Sequence, residues 1–97
     1  MRPVKRIEIV IDSLELRKLL KSLEQVGVSG YTVIQDAAGM GDRGARAGDQ
    51  LSDVLKNSYV ITACPEEQLQ PLIDAIRPLL KRFGGICLVS DAQWIVH

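Results

Sequence analysis

The stretch VKRIEIVIDSLELRKLLKSLEQVG, from Val4 to Gly27, changes hydrophobic period once, and that change decides the fold. Up to Asp12 the apolar letters alternate: Ile7, Ile9 and Ile11 lie on one side, and Arg6, Glu8 and Val10 on the other. Period two with three isoleucines is the pattern of a strand. Beyond Ser13, Leu16, Leu19, Leu20, Leu23 and Val26 recur at helical spacing, and Arg17, Lys18, Lys21 and Glu24 fill the opposite face. Ser13 suits the start of that helix, and Gly27 suits its end in a left-handed conformation. The spacing therefore predicts a strand followed by an amphipathic helix over 13–27.

Outward from this unit the punctuation repeats. Gly30-Tyr31-Thr32-Val33-Ile34 is β-branched and aromatic, as a second strand should be. From Ala37 to about Asn57 the periodicity dissolves into Gly39, Gly41, Gly44 and Gly48 among charged residues. A connection near twenty residues far exceeds the usual span of about 4–6 and marks a functional or disordered loop. Ser58 to Cys64 is a third strand. Pro65 with Glu66 and Glu67 opens a second helix, whose stripe is Leu69, Leu72, Ile73, Ile76, Leu80 and Phe83. Pro71 and Pro78 inside it predict a less regular axis. Gly84-Gly85 ends it, and Ile86 to Val89 is a short apolar fourth strand.

The order strand, helix, strand, strand, helix, strand is the ferredoxin-like βαββαβ arrangement of an α+β protein. It consists of a four-stranded antiparallel sheet with both helices on one face and a long loop between strands 2 and 3. Val4, Val10, Val60, Thr62 and Cys87 cannot all face the helices under period two, so apolar side chains should also appear on the helix-free face. Such a face implies a partner, most simply copies of the same chain.

Composition bounds the rest. Ninety-seven residues predict one domain, 1–97, with too little volume for a core and a deep private pocket. A site between subunits is the economical alternative. Twelve basic and twelve acidic side chains leave none of the excess charge a general nucleic-acid binder needs. The N-terminal segment is too short and too charged for a signal peptide or a membrane span, which points to the cytosol and to no direct membrane insertion. Cys64 and Cys87 fall in strands without a CxxC spacing, so free thiols are expected. With His97 as the only histidine, a structural metal is not expected.

The chemistry lies in the loop. Gly39-Met40-Gly41-Asp42-Arg43-Gly44-Ala45-Arg46 combines glycine backbone freedom with two guanidinium groups three residues apart. Converging N–H groups and planar paired donors both fit phosphate or carboxylate. The Lys-Ser/Thr ending of a Walker A loop is missing. By composition alone the loop is equally a solvated, charged connection. Gly84-Gly85 is either a further set of backbone donors or a helix end, and Thr32 is either a ligand contact or a packing residue.

Together these segments resemble the PII signalling superfamily across nearly the whole chain. The carriers are the alternating first strand, Val26-Gly27-Val28-Ser29-Gly30-Tyr31-Thr32-Val33, the opening Gly39-Met40-Gly41, Pro65-Glu66-Glu67, and Gly84-Gly85-Ile86. The run Gly39-x-Gly41-x-Arg43-x-x-Arg46 looks most like the PII-like proteins linked to inorganic-carbon uptake and carboxysomes. The resemblance implies a homotrimer whose sheets face inward, with an adenine nucleotide in each inter-subunit cleft. It further implies that Gly30 and Thr32 line the base pocket, Gly39 and Gly41 meet the nucleotide, Gly84 and Gly85 approach the phosphates, and Arg43 and Arg46 hold phosphate. Bicarbonate is the co-ligand it suggests.

The departures shape the expectation. The loop holds no tyrosine for uridylylation, Gly85 leads directly into Ile86 with no lysine, and no arginines flank Val96-His97. ADP or AMP is therefore expected over tightly held ATP, and a 2-oxoglutarate role is unsupported. The reading is a non-enzymatic sensor whose loop, residues 39–57, acts on a carbon-uptake or carboxysome-associated protein. The alternatives are a slow nucleotide phosphohydrolase using the same cleft, with Asp42, Asp49 or Asp53 orienting water or Mg²⁺, and a trimeric scaffold without a ligand.

Overall fold

The computed structural model describes residues 1–37, 39–41, 44–46 and 56–97. The elements are β1 (Arg2–Asp12), a 3-10 turn at Ser13–Glu15, α1 (Leu16–Val26), β2 (Tyr31–Ala37), β3 (Gly39–Gly41), β4 (Gly44–Arg46), β5 (Asn57–Cys64), α2 (Glu66–Phe83) and β6 (Ile86–Trp94). Four strands form one antiparallel sheet in the order β2-β5-β1-β6, which is the ferredoxin-like arrangement with both helices on one face.

The period change falls where the sequence places it, with a different chemistry at the corner. Asp12, not Ser13, caps the turn by accepting from the Leu14 N–H at 3.0 Å. Ser13 instead ties across to the strand that follows the loop: its Oγ lies 2.8 Å from Ser58 Oγ, and its N–H donates to the Lys56 carbonyl at 2.9 Å. The regular helix therefore starts at Leu16. Gly27 ends it at φ 92°, with its N–H on the Leu23 and Glu24 carbonyls.

The core is the layer between sheet and helices. Ile7, Ile9, Ile11, Val60 and Cys64 from the sheet meet Leu19 and Leu23 of α1 and Leu72 and Ile76 of α2, all buried. The helix α2 runs unbroken through Pro71 and Pro78, seven residues apart and both exposed. The carbonyls that each proline leaves without a helical donor therefore lie toward water rather than in the core. Phe83 packs beneath two cations, Lys18 Nζ at 4.8 Å and Arg82 at 5.2 Å from its ring, which joins the start of α1 to the end of α2. Cys64 is buried, Cys87 is half-buried, and both are free thiols.

Two features depart from the sequence reading. The long connection is not structureless, because β3 and β4 pair within it as a short hairpin, Gly39 opposite Arg46 and Gly41 opposite Gly44. The last strand runs five residues beyond Val89, to Trp94. Its polar extension is held by its partner: Lys5 lies opposite Asp91, and its ammonium donates to that carboxylate at 2.5 Å. That bond, ahead of a countervailing burial effect, raises the Lys5 pKa above its ordinary value.

Register sorts the helix-free face into rows. Ile34, Tyr59, Val10 and Ile86 form one row across all four strands, and Thr32, Ile61, Glu8 and Leu88 form the next. Val4 and Val10 therefore lie on this face, whereas Val60, Thr62 and Cys87 face the helices. Ile34, Ile86 and Leu88 are 57%, 53% and 57% exposed, so the expected apolar face is present and open. Polar groups run through it: Tyr59 Oη donates to Glu8 Oε1 at 3.0 Å, and Arg6 Nε donates to Ser90 Oγ at 3.1 Å. Burial, then the Glu8 hydrogen bond, pushes the Tyr59 hydroxyl pKa up.

Candidate functional site

Antiparallel pairing brings four strand ends to one end of the sheet. The C-terminal ends of β1 and β2 and the N-terminal ends of β5 and β6 lie there together, since Val10 is paired with both Tyr59 and Ile86, and Ala37 with Asn57. The base of the long loop and the Gly84-Gly85 turn therefore share that end.

The turn is built by backbone necessity. Gly84 closes α2 by donating to the Leu80 carbonyl at 2.8 Å, with φ 79°. Gly85 has φ 114°, and a Cβ there would sit 2.5 Å from the Val10 carbonyl oxygen. Both glycines thus have structural duties, whatever ligand their N–H groups also meet.

Gly39 and Gly41 occupy β3, and Arg46 ends β4 opposite Gly39. The hairpin sets these positions beside the loop entrance. Arg43 lies outside the described residues. Gly30 precedes β2, and its carbonyl accepts from Thr62 Oγ1. A Cβ on Gly30 would meet nothing within 4 Å. Thr32 is exposed on the helix-free face, opposite Ile61.

The described residues among the eight expected ones do not converge within one chain. Gly30 and Thr32 lie on the β2 edge, whereas Gly84 and Gly85 enter the β6 edge, with β5 and β1 between them. Three strand spacings separate those edges by about 14 Å. One protomer therefore presents these expected contacts on opposite edges of its sheet.

Two charged residues at the loop base escaped the sequence reading. β2 contains a bulge between Ile34 and Ala37, and within it Asp36 has φ 61°. Lys56, at the other end of the loop, places Nζ 3.8 Å from Asp36 Oδ2. Their only sequence signal is that each flanks the glycine-rich segment. Among the described residues no cluster of three or more His, Cys, Asp or Glu side chains could hold a metal, and no helix is long and apolar enough to cross a membrane.

Comparison with known proteins agrees with this fold. The structure is similar to that of CPII, a nitrogen regulatory PII-like protein from Thiomonas intermedia K12, bound to ADP, AMP and bicarbonate. That match has 28% identity and a TM-score of 0.86, and it covers 95% of this chain and 88% of that one. CPII bound to ADP and bicarbonate matches at 29% identity and TM-score 0.84 over the same shares of the two chains. The apo form of CPII matches at 26% identity and TM-score 0.78, covering 95% and 91%. Residues 4–96 match the family described as Nitrogen regulatory protein P-II. With that match across almost its full length, and with the sheet order and helix placement above, the chain belongs to the P-II family.

Proposed function

We propose that this protein is a non-enzymatic P-II-family sensor of one domain, 1–97, that binds ADP or AMP, and bicarbonate, in clefts between the subunits of a homotrimer. The observation that carries the reading is its likeness to CPII structures holding ADP, AMP and bicarbonate. P-II-family proteins are typically trimers, and the open apolar sheet face supports packing of copies against one another. Such packing sets the β2 edge of one protomer beside the β6 edge of the next and unites the half-sites. Gly39, Gly41, Gly84, Gly85, Arg43 and Arg46 of one subunit then surround the phosphates, and Gly30 and Thr32 of its neighbour line the base.

In this reading the ligand binds the conformations of loop 39–57 with unequal affinity and so shifts their populations. A carbon-uptake or carboxysome-associated protein in the cytoplasm reads the result. An arginine–phosphate hydrogen bond contributes about 1.5–3 kcal/mol, so Arg43→Ala and Arg46→Ala should each weaken ADP binding about ten- to hundredfold. Calorimetry with ADP, AMP and bicarbonate, beside native mass spectrometry of the unliganded protein, tests both parts. Unchanged ADP affinity in both variants would remove the arginines from the site, and a monomer would remove the shared cleft.

A further inference from the structure

We propose that the helix layer, at the end where the long loop begins, is a docking surface for an anionic membrane. It is a basic face that adsorbs to acidic phospholipid headgroups without crossing the bilayer.

The chain has no net charge, yet its helices sort their charges by position. α1 and α2 run antiparallel: Gln68 Nε2 donates to the Gly27 carbonyl at 3.2 Å at one end, and Lys18 and Arg82 meet over the Phe83 ring at the other. That second end is where β1 stops and β6 starts, beside the base of the loop. Arg17, Lys18, Lys21, Arg77, Lys81 and Arg82 fall in that half of the layer, all exposed. Glu24, Glu66 and Glu67 fall in the other half, and Asp74 is turned that way by accepting from Gln70 Nε2 at 2.9 Å. Few carboxylates offset the basic half. Glu15 is only 16% exposed and is already taken by Lys18 at 3.3 Å, the one ion pair on these six cations among the described residues. Asp12, at the corner, accepts from the Leu14 N–H. Two cations brought to one ring repel each other, and an external anionic surface relieves that repulsion.

The kind of partner is read from what accompanies the charge. Leu14, Arg17, Lys18 and Lys21 follow at spacings of three and four and form the outward stripe of this segment, opposite buried Leu16, Leu19 and Leu23. Leu14 is 63% exposed at the end of that stripe. A leucine presented among lysines and arginines combines the two elements of interfacial binding, an apolar group for the acyl boundary and cations for the headgroups. The cations are spread over the outer sides of two helices, which suits a continuous field of negative charge better than the fixed pattern of an acidic peptide. A single-stranded nucleic acid would stack on open aromatic rings, whereas the ring in this patch, Phe83, is covered by Lys18 and Arg82.

The test is sedimentation of the full chain with vesicles of phosphatidylcholine alone and of phosphatidylcholine mixed with phosphatidylserine, at low and at high salt. The protein should sediment with the mixed vesicles only, and high salt should release it. Lys21→Gln and Lys81→Gln should each weaken binding about fivefold per subunit, and about twenty-five-fold together. Leu14→Ala should weaken it by a factor that salt leaves unchanged. Arg2→Gln removes the same charge at the opposite end of β1 and should leave binding as it is. All four positions are exposed, so circular dichroism should report an unaltered fold in each. Failure to sediment with the mixed vesicles, or equal losses in Arg2→Gln and Lys21→Gln, overturns the proposal. Binding to polyglutamate or to RNA without binding to the mixed vesicles overturns it as well and assigns the face to that class of partner. None of these outcomes bears on the nucleotide reading, which calorimetry tests separately.

Discussion

Gly85→Ala tests whether the turn into β6 is dictated by backbone geometry. At φ 114° an L side chain is strained, at a cost of about 1–2 kcal/mol. The new methyl would lie 2.5 Å from the Val10 carbonyl oxygen and 3.2 Å from Leu80 Cδ2. Leu80 can turn aside, but Val10 belongs to a strand paired on both sides, with Tyr59 and with Ile86. Forcing that contact adds about 1–3 kcal/mol, as overpacking does elsewhere. The restricted unfolded chain returns about 0.4–1 kcal/mol. The net loss is about 2–4 kcal/mol, or a melting temperature lower by roughly 10–25 °C for a domain of this size. Urea unfolding followed by circular dichroism, at one protein concentration because association contributes to stability, measures it. Gly30→Ala is the control: its Cβ meets nothing within 4 Å, so its stability should stay within about 0.5 kcal/mol of wild type. If Gly85→Ala costs no more than Gly30→Ala, the close approach to β1 is not what fixes this glycine. Because Gly30→Ala leaves the fold intact, any loss of ADP affinity in it reports on the base pocket directly.

Two further outcomes follow from the helices and the thiols. Pro78→Ala should stabilise the protein by about 1–2 kcal/mol in the same urea assay, since it restores an N–H for the Asp74 carbonyl at an exposed position of α2, less the unfolded-state freedom that proline removes. Stability should also fall in alkali. Burial, with the Glu67 charge second, raises the Cys64 thiol above 9.0, and burial followed by the Glu8 hydrogen bond raises the Tyr59 hydroxyl above 10.0. The folded chain then keeps protons that the unfolded chain releases, so this stability is complete below about pH 9 and is lost as pH rises through the folded values. Melting curves across that range should flatten in the double variant Cys64→Ala/Tyr59→Phe, and an unchanged slope would dissociate both groups from it.

The backbone layout was legible wherever a segment carries its own periodicity. Ile7, Ile9 and Ile11 and then Leu16, Leu19 and Leu23 announce their elements without help from the rest of the chain, and Gly27 marks its own end. The extension of β6 to Trp94 was hidden because its support is distant: Ser90, Asp91 and Gln93 look like a tail until Arg6, Lys5 and Pro3 stand opposite them. Capping is a local rule and points to Ser13, whereas the partner of its hydroxyl, Ser58, is 45 residues away. The site divides in the same manner. Glycine and arginine spacing drew attention to Gly39, Gly41, Arg43 and Arg46, but nothing in residue type shows that Gly30 and Gly85 stand on opposite edges of one sheet. Asp36 and Lys56 carry no motif, and a bulge together with long-range pairing is what sets them face to face.

The sheet order has a consequence for how the chain can be divided. β1, from the first half, lies between β5 and β6 from the second, and β2 is joined to the sheet only through β5. The two halves are interleaved like the fingers of clasped hands, and neither owns a complete sheet or a complete core. A cut within the long connection would sever one covalent link and leave every ladder of the four-stranded sheet in place. Residues 1–37 and 56–97, expressed separately, should therefore be unstructured alone and ordered together. The connection can then be lengthened, replaced or opened while the four-stranded scaffold persists.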